Sequence, residues 1–188
     1  MGTRDRILDA AAAVMRERGV AHATTKEIAR AADCSEALLY KHFPDKTTLL
    51  LHVFRERMPA FTANAEPGKG RVEANLAAIA HGALHFYLRG FPMMASAVAS
   101  PDLLTALRDA LAPHGAGPDR PVTIVTEYLT AEQHLGRIAP TADPAAIAAL
   151  LMGSCFQQGF LAYFEGKTKL PKTTATNLVA PLIPALHP

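Results

Sequence analysis

Apolar residues recur three and four positions apart along almost the whole chain, and no alternating run competes with them, so an all-helical (all-α) fold is expected. Ile7, Leu8, Ala11, Ala12 and Met15 form the first stripe. They predict an amphipathic helix of about 16 residues that opens at Thr3, a candidate cap, and stops at Gly19. Val20 to Ala23 connect it to a denser pattern, and His22 in that connection reads as a solvent-side or capping residue without chemistry.

The stretch from Thr24 to Lys46 reads as two short helices and a tight turn. Thr24 and Glu27 form a capping box, each side chain serving the other's orphan backbone donor, so a helix begins at Thr25. Ile28, Ala29 and Ala32 are its inward stripe. Asp33 tolerates the left-handed geometry of a turn, and Ser35 caps the helix that follows, from Glu36 to about Phe43. With Leu39 and Phe43 inward, Glu36, Ala37, Leu38, Tyr40 and Lys41 face outward, and His42 shares that surface. Pro44 ends the helix, and Asp45 caps another that runs from Lys46 to about Pro59. Lys46 therefore stands at a helix N-terminus, where backbone donors and an ammonium can hold one phosphate.

Thr25, Ile28-Ala29, Ser35, Leu39-Tyr40, His42-Phe43 and Lys46 with Leu49 resemble the DNA-binding signature of the tetracycline-repressor (TetR) family of bacterial transcriptional regulators. The resemblance covers roughly the first 55 residues. Asp33 and Ala37 depart from it, both standing where glycine is usual. It implies a helix-turn-helix domain over residues 1–58, with Thr25, Lys26, Glu36, Ala37, Leu38, Tyr40, Lys41, His42 and Lys46 at the DNA, and a helical ligand-binding and dimerisation domain over 59–188. It also implies a homodimer on a palindromic operator, and repression in preference to activation.

After the breaker-rich Glu66-Pro67-Gly68-Lys69-Gly70, helical patterning resumes. A helix is expected from Val72 to about Arg89, a short one at Phe91-Pro92, and another from Pro101 to about Ala112. Pro113 to Pro121 is a loop that nothing in the sequence would hold rigid. A helix over Val122 to Leu135 stops at Gly136, and Asp143-Pro144 cap a long apolar helix to about Glu165. Apolar residues nearly encircle that helix, so it needs cover on several sides, and a second subunit is the natural source. Pro181 and Pro184 predict a last helix that is kinked, short, or begins at Pro181.

Composition changes this picture little. Residues 1–58 hold 10 Lys and Arg against 8 Asp and Glu, and residues 59–188 hold 9 of each, so the whole net charge of +2 lies in the N-terminal module. DNA affinity must then come from a few placed cations and from doubling by symmetry. No uninterrupted apolar run reaches the about 18 residues of a membrane span, and the N-terminus has no signal-peptide core, so a cytoplasmic protein without membrane association is expected. Cys34 and Cys155 fall in different domains and read as small buried hydrophobes. A redox sensor at Cys34 is the alternative, since oxidation in the turn would disturb the reading helix.

The candidate ligand site draws on His81, His85, Phe86, Met93, Met94, Tyr128, Phe156, Gln157 and Phe160, where adaptable Met and flat aromatics with a few polar tips suit a mostly hydrophobic, uncharged or weakly polar effector. Plain core packing is the competing explanation for each. His81 and His85 have the spacing of two metal ligands but no companion ligands, so neither a metal nor a cofactor is expected. Nucleophile elbow, P-loop, dinucleotide fingerprint and zinc-protease helix are all missing, which argues against an enzyme. A DNA-binding repressor without a small-molecule ligand, controlled by a protein partner or by redox, remains open.

Overall fold

The computed structural model describes residues 2–58, 61–114 and 117–187, without the side chains of Ala21, His22 and His114. The expected role of His22 therefore lies outside the described residues, as do Gly115 and Ala116 of the expected loop. Among the described residues there are helices and no strands. The α-helices are α1 (Thr3–His22), α2 (Thr25–Ala31), α3 (Glu36–His42), α4 (Lys46–Arg57), α5 (Val72–Val98), α6 (Pro101–Leu111), α7 (Arg120–His134), α8 (Pro144–Phe164) and α9 (Lys172–Val179). Short 3₁₀ turns follow α6 at Ala112–His114 and α9 at Ala180–Ala185.

Local signals account for most helix ends. Glu27 N–H donates to Thr24 Oγ1 at 3.2 Å, and Thr24 N–H donates back to Glu27 Oε2 at 3.5 Å, completing the capping box of α2. Asp33 takes φ 51° in the turn, Ser35 Oγ accepts from Leu38 N–H at 3.1 Å, and Asp45 Oδ1 accepts from Thr48 N–H at 2.7 Å. Asp143 Oδ1 accepts from the N–H groups of Ala145 and Ala146 ahead of α8. Gly136 stops α7 with φ 68°.

Three expectations are corrected. Thr3 is the first residue of α1, and the cap position falls on Gly2, which has no side chain to bond. Gly19, with φ 75° and ψ 161°, does break the helical geometry, but a last turn continues beyond it to His22. The helix expected to end near Arg89 runs on through Pro92 to Val98, because the missing N–H and the ring of one proline cost less than abandoning a helix buried on both sides of it. By contrast, Pro181 and Pro184 do end regular α-structure: α9 is short and a 3₁₀ segment holds both.

The chain forms two compact units, residues 1–59 with 90–117 and residues 60–89 with 118–188. In the first, α1 packs on α2, α3 and α4, and α6 packs on α4. Ile7, Leu8, Met15, Ile28, Leu39, Phe43, Leu49 and Val53 form its core with Met93, Leu103 and Leu107. Arg4 caps this core by lying over the Phe43 ring and pairing with Glu56, and Arg57 pairs with Asp5 and Asp9, so α1 and α4 are joined at both apolar and charged positions. In the second, α7 packs on α8 and α8 on α9, with Leu76, Ile79, Leu84, Leu129, Leu151, Met152 and Cys155 buried.

The outer side of α8 remains uncovered. Leu150 is 62% exposed and Phe164 79%, and Phe156, Phe160, Leu161 and Tyr163 are also exposed. Over its 21 residues α8 is long and apolar enough, by length and composition, to cross a membrane, although no uninterrupted apolar run of that length occurs in it. An apolar helix whose inner face is buried in protein meets the same test.

Candidate nucleic-acid interface

The reading face is set by which side of α3 the core claims. Leu39 and Phe43 are buried, so Ala37, Tyr40, Lys41 and His42 are exposed, while Glu36 and Leu38 are half-buried at the edge. Lys26 is exposed near the start of α2, and beside it Thr25 is half-buried. Among the described residues neither Lys26 nor Lys41 is tied to a carboxylate. Both ammonium groups are available to an outside anion.

Thr25, Glu36 and Tyr40 form a single network. Thr25 Oγ1 donates to Glu36 Oε2 at 3.2 Å and lies 3.2 Å from the Tyr40 hydroxyl. A threonine hydroxyl carries one proton, so with that proton on Glu36 it accepts from Tyr40. Both hydroxyl protons then point inward toward the carboxylate. Lys46 is half-buried, and its Nζ donates to Val20 O at 3.2 Å, closing the end of α1 with one of its three donors. The helix-terminal lysine thus has a structural bond that its position in the sequence did not announce.

Two short helices meeting at a left-handed turn, one presenting a polar, cation-flanked face, have the geometry of a helix-turn-helix. Residues 7–53 match the family model described as bacterial regulatory proteins, tetR family. The N-terminal module is a tetR-family DNA-binding domain. Solved structures extend the likeness in fold to nearly the whole chain. A tetR-family transcriptional regulator from Mesorhizobium loti MAFF303099 has 22% identity and a TM-score of 0.74, over 99% of this chain and 97% of that one. FadR of Bacillus subtilis, solved in complex with stearoyl-CoA, has 17% identity and a TM-score of 0.70, over 97% and 99%. NalD of Pseudomonas aeruginosa, the secondary repressor of the MexAB-OprM multidrug efflux pump, has 20% identity and a TM-score of 0.66, over 98% and 96%. No curated protein matches the chain. The chain has the fold of tetR-family transcriptional regulators, a family of regulators and not of enzymes.

The residues expected at a ligand fall in both units. Met93 is buried in the core of the first unit and Met94 is half-buried beside it in sequence, whereas the other seven belong to the second unit. Tyr128 is buried, its hydroxyl accepts from Asn75 Nδ2 at 2.9 Å, and burial pushes its pKa up to about 12. Phe156, Gln157 and Phe160 lie on the exposed side of α8. His81, His85 and Phe86 are half-buried on α5, with the two imidazoles edge to face at 4.7 Å. Two surface depressions lie elsewhere, one along α7 between Asp119 and His134 and one between the start of α5 and the last 3₁₀ turn. Among the described residues no three His, Cys, Asp or Glu side chains gather as metal ligands would.

Glu132 was not singled out in the sequence, yet it is fully buried. Its Oε1 accepts from Gly68 N–H at 3.3 Å, and its Oε2 lies 3.2 Å from Arg137 Nε without a hydrogen-bond alignment. Arg137 in turn donates to Gly70 O. A glutamate at an inward heptad-like position was the only signal available. Cys155 is buried with its thiol pushed up to about 12 by burial, which leaves it unreactive, while Cys34 is half-buried.

Proposed function

We propose that the chain is a ligand-responsive transcriptional regulator of the cytoplasm that binds a palindromic operator as a homodimer and is released by a small, mostly hydrophobic effector. The observation that carries the DNA reading is the exposed face of α3, with Tyr40, Lys41 and His42 flanked by Lys26 and Lys46. In this reading residues 1–58 act as the DNA-binding domain. Ala37 and Leu38 meet base edges, Leu38 touching a thymine methyl, while Thr25, Lys26, Tyr40 and Lys46 hold phosphates. Glu36, Lys41 and His42 border the same surface.

Dimerisation is supported by the exposed apolar side of α8, from Leu150 to Phe164, because an uncovered face of that kind is unstable in water and matches the self-complementary surface a two-fold axis needs. Repression fits the printed description of NalD, and an effector with a long apolar part fits the stearoyl-CoA held by FadR of Bacillus subtilis. Release requires only that the effector bind better to a dimer whose heads are wrongly spaced. No catalytic activity is proposed. The test is selection of operator sequences from random duplex DNA by the purified protein. Enriched two-fold-symmetric sites with half-site centres about 34 Å apart, or a multiple, support the reading, and enrichment of asymmetric or unrelated sequences defeats it.

A further inference from the structure

Three contacts meet at the end of α1. Gly19 takes φ 75° and ψ 161°, a combination that essentially only glycine adopts. A Cβ built on it would stand 3.2 Å from Ser96 Oγ on α5, so the turn is closely backed from that direction. Val20 follows, 3% exposed, and its carbonyl oxygen accepts twice, from Ala23 N–H at 3.3 Å and from Lys46 Nζ at 3.2 Å. Both lone pairs of that oxygen are then in use.

The two sides of this turn differ in freedom. Ser96 is half-buried, and Met93 and Ala97 on either side of it in α5 are buried in the core that also holds Val20. The last turns of α5 therefore present a fixed stop behind Gly19. Lys46 is a long side chain at the first position of α4, and left to itself it would sample many rotamers in water. The bond to Val20 O takes one of its three donors and leaves two for an outside anion. A cation already held in place loses less conformational entropy on meeting a phosphate than one that must be ordered first.

We infer that Gly19, backed by Ser96, positions Lys46 for DNA: the turn places Val20 O, and Val20 O holds the ammonium. The inference rests on the reading of Lys46 as a phosphate contact given above, and it adds two positioning residues that need not touch DNA themselves. Through Ser96, the C-terminal turns of α5 bear on DNA affinity although they lie outside the helix-turn-helix.

The test uses the full chain in two measurements. In the first, without DNA, the lysines are labelled competitively with acetic anhydride and read by mass spectrometry. Lys46 reacts at least about threefold more slowly than the exposed Lys26, the protection expected of one hydrogen bond. Gly19→Ala brings Lys46 toward the rate of Lys26 and leaves Lys26 unchanged. Ser96→Leu does the same by pressing on the turn from α5 while residue 19 stays glycine, so the test stands even where Gly19→Ala does not fold. In the second measurement, binding to a mixed-sequence duplex of about three helical turns is followed against salt. Lys46→Ala and Ser96→Leu each lower the slope of log affinity against log salt by about 0.9, and the double variant lowers it no further. Lys26→Ala added to Lys46→Ala does lower it further. A Lys46 labelling rate that neither variant changes, or slope losses that add in the Ser96→Leu/Lys46→Ala double variant, overturns the inference while leaving the DNA reading intact. A wild-type chain that does not bind the duplex defeats the DNA reading itself, and the role of the turn in binding falls with it.

Discussion

Gly159 on α8 faces Tyr87 on α5 so closely that a Cβ built on the glycine would stand 2.8 Å from Tyr87 Cβ and 3.2 Å from the Leu88 backbone nitrogen. Backbone cannot yield as a flexible side chain can. Gly159→Ala should therefore destabilise the protein by about 1–3 kcal/mol through overpacking. Gly153, on the same helix, would meet nothing within 4 Å, and Gly153→Ala should stabilise by about 0.5–1 kcal/mol through helix propensity alone. Urea denaturation of the two variants measures the contrast, and similar effects would show that the close approach of α5 and α8 is not tight in solution.

Phosphate contacts should appear in the salt dependence of operator binding. Lys26→Ala is expected to lower the slope of log affinity against log salt by about 0.9, the value for one phosphate contact. Lys46→Ala should do the same and also lower the melting temperature slightly, since its Nζ holds Val20 O. Tyr40→Phe should weaken binding to all sequences alike. Gel-shift titrations at several salt concentrations read all three, and unchanged slopes would remove the lysines from the interface.

Glu36 should act against DNA affinity. Its carboxylate draws the Thr25 proton, and through Thr25 that of Tyr40, away from the acceptor oxygens a phosphate would offer. Glu36→Gln keeps the shape, removes the negative charge and should raise affinity by about threefold to tenfold, most of it at low salt. Equal or weaker binding by the variant would mean that Glu36 itself makes a favourable contact, as an acceptor from a cytosine amino group does.

The exposed side of α8 should decide the oligomeric state. Phe164, 79% exposed, can take a charge without disturbing the fold of one chain, so Phe164→Asp should give a folded species of half the wild-type mass in sedimentation. A wild-type chain that sediments as a monomer at micromolar concentration would end the dimer and the palindrome together.

Acid should loosen the join between α1 and α4. The hydrogen bond from Arg4, with help from His52, holds the Glu56 carboxyl down at about 2. A depressed carboxyl contributes stability that is complete above its ordinary value of 4.5 and is lost as pH falls toward about 2. Because Glu56 is partly exposed, the effect should be no more than about 1 kcal/mol. Arg4→Gln should flatten this part of the acid limb of the melting temperature between pH 4.5 and 2. An unchanged acid limb would mean that the pair is not formed in solution.

What the sequence by itself determined is what depends on neighbours within one turn of chain. The Thr24–Glu27 box, the Ser35, Asp45 and Asp143 caps, the left-handed Asp33 and the outward Tyr40 opposite Leu39 and Phe43 are all legible, because a cap bonds a donor two or three residues away and a helix face is fixed by its period. What only the tertiary structure decided is what residues distant in sequence meet. Pro92 looks like a boundary until packing carries α5 through it, and Lys46 looks free until Val20 O comes within its reach. The same holds for Glu132, an ordinary polar helix residue until Gly68 and Arg137 meet its carboxylate. Burial and charge act through space, and the chain's period records only the direction a side chain leaves its helix, not what waits there.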